Sequence, residues 1–203
     1  MRDPTRELVR DVFVFAEDAG HERFLQPLIQ RLSTEYAIRV SVTLRSVRGG
    51  HGKVLSELEQ FIRDLRRSRD SLPDLIIVAT DGNCKGYPHR RQELDSVAGS
   101  LGEFVVYAIP DPHIERWLLL DSAAFKEVLG RGCDAPDQKC ERDRYKALLR
   151  QAVRATGVAP LLGGLEYAED LVRAMDLERV ERADPSLGRL LSGLREKFAG
   201  WRE

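Results

Sequence analysis

The sequence predicts an α/β fold: a mainly parallel four-stranded sheet flanked by helices, with a helical C-terminal extension. Three observations lead there. Four short runs rich in β-branched and aromatic residues alternate with segments whose apolar residues recur every three or four positions. One of those runs, Asp74–Thr80 (DLIIVAT), is apolar almost throughout, as expected of a strand covered on both faces. Beyond Asp111 no further convincing strand occurs. Strand and helix alternating this regularly argue for parallel pairing, because parallel neighbours need a crossover between them.

Taken in order, Asp11–Phe15 (DVFVF) reads as the first strand and stops at the sequence AEDAG, residues 16–20. From His21 to about Tyr36, Phe24, Leu25, Leu28, Ile29 and Leu32 share one helical face. Ile38–Leu44 (IRVSVTL) alternates as a strand does, and a glycine-rich loop (RGGHGK, Arg48–Lys53) follows it. The next helix carries Leu55, Leu58, Phe61, Ile62 and Leu65 inward, and Arg63, Arg66, Arg67 and Arg69 outward. After Asp74–Thr80 comes Asp81-Gly82-Asn83, then a weaker helix from about Pro88 to Ala98 and a fourth strand, Glu103–Ile109. Asp111-Pro112 reads as a helix start, with a capping acid and proline at the first helical position. Gly130–Cys140 is a polar loop, and the remainder is helical with breaks near Gly157, at Gly163-Gly164 and at Asp184-Pro185. Residues 1–130 are expected to form the α/β domain, and residues 131–203 an extension packed on or beside it.

Composition narrows the function. The 203 residues are 42% hydrophobic, enough for a real core and too many for a disordered chain. Thirty-two Lys and Arg against 33 Asp and Glu leave a net charge of −1, which excludes a globally basic nucleic-acid binder but not a local basic face. No apolar run approaches the roughly 18–20 residues of a membrane span, and MRDPTRELVR lacks the apolar stretch of a secretion signal. Cys84, Cys133 and Cys140 cannot all pair internally and are read as free thiols, so a cytoplasmic, reduced protein is expected.

In an open parallel sheet, sites form beyond the carboxyl ends of the strands where the strand order reverses. Those ends carry Glu17 after the first strand and Asp81 after the third, and an order of 2-1-3-4 makes these strands neighbours. The fourth strand leads to Asp111 and then Glu115, and Glu22 follows Glu17 by five residues, on the first turn of its helix. Clustered carboxylates repel unless something positive sits among them. A hard cation such as Mg²⁺ or Mn²⁺ takes oxygen ligands and keeps waters and substrate phosphates in its shell.

Three segments resemble the Toprim superfamily, the catalytic domain of topoisomerases, primases, recombination-repair proteins and OLD-family nucleases. They are FVFAEDAGHERFLQPLIQRL, DLIIVATDGNCKG and, most specifically, IPDPHIERWLLLD (Ile109–Asp121). The family pattern places a glutamate at the end of the first strand and Asp-x-Asp at the end of the third. The closest likeness is to short Toprim-like proteins of bacteria and archaea with an I-P-x-x-x-I-E-x-W-L-L-x-D segment, and it covers about Asp11 to Leu129. The resemblance implies a Toprim-like (Rossmann-like) fold and metal-dependent phosphodiester chemistry on DNA or RNA. Glu17 would be a general acid/base or metal ligand, Asp81 a principal Mg²⁺ or Mn²⁺ ligand, Glu115 a further acid and Glu22 its support. Asn83 stands where the pattern has a second aspartate, a neutral oxygen ligand that would hold a second metal more weakly. Asp18 stands where the close relatives have glycine. Similarity to OLD-type systems further implies phage defence beside a separate ATPase partner, since this chain lacks a P-loop.

Cations expected to meet a nucleic acid are Arg48, Lys53 and Lys85, with Lys146 further along. RGGHGK fails the P-loop pattern, because Val47 replaces its first glycine and Val54 its Ser/Thr. Cys84, Cys133, Cys140 and His89 lack zinc spacing. His21 is the better of two histidines, with His113, that flank the acids, and Trp117 reads as core. The arginine face of the second helix, joined by Arg142, Arg144 and Arg150, is either solvated or a steering surface. A non-catalytic binding module that docks a partner, and a mononucleotide hydrolase, are the competing readings; the oligomeric state, homo-oligomer included, stays open.

Overall fold

The computed structural model describes residues 8–67 and 72–202, so Arg69 and the first seven residues lie outside the described residues. Its strands are β1 (Val9–Ala16), β2 (Arg39–Ser46), β3 (Leu75–Ala79) and β4 (Val105–Ala108). Helices α1 (Ala19–Glu35), α2 (His51–Arg67) and α3 (Gly86–Ala98) connect them. There follow α4 (Ile114–Leu118), α5 (Ser122–Leu129), α6 (Arg144–Arg154), α7 (Ala168–Ala174), α8 (Leu177–Ala183) and α9 (Pro185–Gly200). All strand pairs are parallel, in the order β2-β1-β3-β4. The expected α/β class, parallel four-stranded sheet and helical C-terminal part are observed, and the order is the one that makes β1 and β3 neighbours; β4 is shorter than the sequence suggests because Gly99–Phe104 winds into a 3₁₀ turn.

Side chains on a strand point alternately to the two faces, and here that alternation divides the core. Val12 and Val14 of β1, Leu75, Ile77 and Ala79 of β3, and Val106 and Ala108 of β4 face α1, α4 and the C-terminal helices. Phe15, Ile76, Val78, Val105 and Tyr107 face α2 and α3. Edge strand β2 lends Val40, Val42 and Leu44 to the first layer and leaves Ser41, Thr43 and Arg45 exposed. Leu171, Val172, Val180, Leu190, Leu191, Leu194 and Phe198 of the C-terminal helices are buried in the same apolar cluster as β1 and β3. The expected breaks at Gly157, Gly163-Gly164 and Asp184-Pro185 all fall between helices.

Two expectations need correction. Asp111-Pro112 does not open a helix: α4 starts at Ile114, and no side chain of its own segment caps it. The Ile114 N–H donates instead to Asp81 Oδ1 at 3.0 Å, a cap delivered by β3 that local sequence cannot reveal. The cysteines are not all free: Cys84 and Cys140, 56 residues apart, are joined by a disulfide, leaving Cys133 half-buried and unpaired. The segment after α5 folds back over the carboxyl end of β3, a long-range approach that cysteine spacing does not encode. Cysteine usage therefore no longer argues for a reducing compartment. No helix among the described residues is long and apolar enough to cross a membrane.

The C-terminal helices are tied to the sheet by a buried ion pair. Arg116 of α4 donates to Asp184, which also caps α9 through Leu187 N–H (2.8 Å) and accepts from Ser186 Oγ (2.5 Å). Ser186 Oγ in turn accepts from Trp117 Nε1 at 3.1 Å. Removing one partner of such a pair strands a buried charge. Asp184→Ala is therefore expected to lose about 3–5 kcal/mol in urea denaturation, and Asp184→Asn, which keeps a capping oxygen, distinctly less. Thiol titration of the unfolded, unreduced protein is expected to count one free thiol, Cys133.

Candidate functional site

The carboxyl ends of β1 and β3 lie side by side, with Ala16 opposite Ala79. Glu17 N–H continues the ladder to Ala79 O (3.1 Å), and Thr80 N–H to Ala108 O (3.0 Å). Gly82 crosses against the chain after β4, donating to Pro110 O at 2.7 Å. A Cβ there would meet that carbonyl at 2.9 Å, so only glycine permits the approach. Asn83 follows at φ 49°, in the left-handed region that asparagine tolerates better than most residues. Backbone geometry therefore explains an Asx-type residue at position 83 without any metal.

Glu17, Asp81, Asn83 and Glu115 line one cavity of about 290 Å³, together with Asp18, His113, Tyr145 and Lys146. The Cys84–Cys140 disulfide forms another part of its wall. The three acids singled out in sequence thus meet at the sheet's switch point. Glu22 does not join them: with Arg48 it lines a separate cavity beside Glu166 and Glu169. Lys53 pairs with Glu57 (2.7 Å) and Lys85 with Glu93 (3.4 Å), and neither lines the carboxylate cavity.

Asp81 is heavily engaged. Its Oδ1 accepts from Ile114 N–H, and its Oδ2 lies 3.0 Å from His113 Nδ1. His21 Nε2 stands 3.4 Å from Oδ1, at ion-pair distance but without hydrogen-bond geometry. Of a carboxylate's roughly four lone-pair sites, two are taken by hydrogen bonds and a third is crowded by His21. Burial alone would raise the Asp81 pKa, but His113 and His21 together hold it well below the usual carboxylate range. His21, fully buried, is wedged between Asp81 and Asp18, whose Oδ1 lies 2.9 Å from His21 Nδ1 and also caps α1. Burial opposes its charge, yet the Asp18 hydrogen bond and the Asp81 carboxylate raise its pKa to about 10. It is an internal cation that tolerates the acids, not a group presented to the cavity.

Glu115 is the opposite case. Only 3% exposed, it has Oε2 buried with no hydrogen-bond partner among the described residues. Burial first, and then Asp81, push its pKa up. Two acids in one cavity are thereby driven apart in proton affinity, the arrangement expected of an acid–base pair. Glu17 is less buried: Oε2 accepts from Thr80 Oγ1 (2.5 Å) and Asp81 N–H (3.0 Å), while Oε1 accepts no hydrogen bond among the described residues. Thr80 has one hydroxyl proton and gives it to Glu17, so His51 Nδ1, 3.0 Å from Thr80 Oγ1, must be the donor there. Sequence reading missed Thr80, His51 and Tyr145; His51, in the RGGHGK segment read as a loop, is the first residue of α2.

A divalent cation fits this donor set in part. Among the described residues no group of three or more His, Cys, Asp or Glu stands assembled as a cage. Mg²⁺ seldom uses one: it is commonly held by one or two carboxylates, waters and substrate phosphates. Glu17 Oε1 and the orphaned Glu115 Oε2 are the oxygens left over for it. In comparisons with known proteins, the chain matches no family model, no curated protein and no solved structure.

His21 binds its proton more tightly folded than unfolded, so its stabilisation is complete below about pH 6.5 and is lost as pH rises through about 10. Urea denaturation at pH 6.5, 8 and 10 is expected to show stability falling across this range. His21→Gln should be less stable at pH 6.5 and should lack that part of the decline.

Proposed function

We propose that the chain processes phosphodiester bonds in nucleic acid with Mg²⁺ or Mn²⁺, as its resemblance to Toprim proteins implies. The supporting observation is the meeting of Glu17, Asp81 and Glu115 at one cavity, with a buried Glu115 oxygen that no group among the described residues satisfies. Glu17 and Glu115 would hold the ion, with Asp81 contributing through its remaining lone pair. When bound, such an ion polarises a phosphodiester and lowers the pKa of a coordinated water.

The chain's own groups do the rest. His113, whose pKa is raised by its hydrogen bond to Asp81, places positive charge at the cavity wall, where a phosphate's charge needs an offset. Glu115 holds its proton to higher pH than an ordinary glutamate and can supply it to a departing oxygen, or yield it to an incoming cation. Thr80 and the Asp81 N–H fix the Glu17 carboxylate so that Oε1 alone faces outward. Asn83, neutral, favours one ion over two.

A second reading, a Toprim-like module that binds without cutting and docks a partner such as an ATPase, is favoured by one observation: Asp81 is largely consumed by internal donors. Metal titration separates the two. On the enzymatic reading, Mn²⁺ at 100 times its dissociation constant raises stability by about 2.7 kcal/mol, and binds more tightly at pH 8 than at pH 5.5 because Glu115 must give up its proton. Glu17→Gln and Glu115→Gln are expected to abolish that gain and to slow cleavage of plasmid or structured RNA by about 100-fold or more. No metal-dependent stabilisation and no cleavage in wild type would leave the binding module as the surviving reading.

A further inference from the structure

We infer that the groove running from the carboxylate cavity along α6 is the track of a single nucleic-acid strand. The inference rests on the phosphodiester reading above and supplies its substrate path. The carboxylate cavity opens beside a second one of about 500 Å³, and the two share Asp18, Glu115 and Lys146. The second is lined further by Arg150 and Arg154 and by Leu161, Leu162 and Leu165.

Helix α6 buries Tyr145, Leu149 and Val153, and the positions immediately following them carry Lys146, Arg150 and Arg154. Residues four apart lie one above another on a helix face, so the three cations form a row with steps of about 6 Å. All three are exposed, and none has a carboxylate at ion-pair distance among the described residues. Across the groove stand Leu161 and Leu162, 85% and 53% exposed. They are not there by looseness. Glu166 accepts from the backbone N–H of Leu161 (2.7 Å), Leu162 (3.0 Å) and Gly164 (3.0 Å), fixing the turn that presents them. Gly164 sits so close to α6 that a Cβ would meet Leu149 Cγ at 2.8 Å.

A row of cations carried by one helix and facing an apolar ledge held by Glu166 matches a strand with phosphates on one side and unpaired bases on the other. A duplex hides its bases and would leave the leucines uncovered. At its inner end the row reaches Lys146, beside Glu115, so a strand lying on it would bring a phosphodiester to the carboxylates.

The test is anisotropy with a fluorescein-labelled 20-nucleotide single strand, in EDTA, from 50 to 300 mM salt. Each phosphate contact contributes about 0.7 to the slope of log K against log salt on a single strand. Replacing Lys146, Arg150 and Arg154 together by Gln is therefore expected to reduce that slope by about 2. Leu161→Ser/Leu162→Ser should weaken binding about tenfold at constant salt with the slope unchanged. The control, Arg66→Gln/Arg67→Gln on α2, should bind as wild type does. Wild-type binding that survives the α6 substitutions, or that is lost in the α2 control instead, overturns the track while leaving the phosphodiester reading standing. Binding that needs α6 in a protein that never cleaves with Mn²⁺ supports the track and sinks the enzymatic reading. Binding to phosphatidylserine vesicles in place of the oligonucleotide overturns the track, since the same cations and leucines would then face a membrane surface.

Discussion

The carboxylate of Asp81 is the constraint on which the centre of this molecule depends. It leaves the end of β3 and is met by three elements at once: His21 from α1, His113 from the turn before α4, and the first N–H of α4 itself. A buried anion costs free energy unless it is paired and hydrogen-bonded, and here the pairing partners are the structure. Apolar packing holds α1 and α4 on the sheet, and their inner ends converge where this one charge is satisfied.

That arrangement has an electrostatic consequence a few residues away. With two histidines committed to Asp81, and Asp18 committed to His21, Glu115 has no cation at hydrogen-bond distance among the described residues. Its Oε2 is left buried without a hydrogen-bond partner among the described residues, while its neighbours in sequence serve packing: Arg116 holds Asp184, and Trp117 packs near Phe24 and bonds Ser186. The segment Ile109–Asp121 therefore does two jobs in alternating positions. Asp121, its last residue, belongs to the packing half, capping α5 and accepting from Asp176 N–H at 2.8 Å.

Much of the scaffold is legible in the sequence because it rests on local periodicity. The period of two in β1 sends Val12 and Val14 one way and Phe15 the other, and the unbroken run in β3 reflects its two covered faces. Glu17 and Asp81 could be brought together on paper because parallel strands with order 2-1-3-4 place their carboxyl ends in register. What failed were readings that treated a contact as local. Asp111 and Pro112 carry every local mark of a helix start, yet the cap comes from Asp81, some thirty residues earlier. Glu22 is close to Glu17 in sequence, but the helix turns it to a different cavity.

By itself the sequence determined the alternation of strands and helices and which acids stand at strand ends, since hydrophobic spacing and strand-end position are properties of a chain read residue by residue. Only the tertiary structure decided that Cys84 meets Cys140, that His21 becomes a buried cation, and that Glu115 Oε2 is left without a hydrogen bond among the described residues, beside the cations of α6. Those outcomes depend on desolvation and on charges arriving from distant segments. Both are set by the folded neighbourhood, and neither has a signature in spacing along the chain.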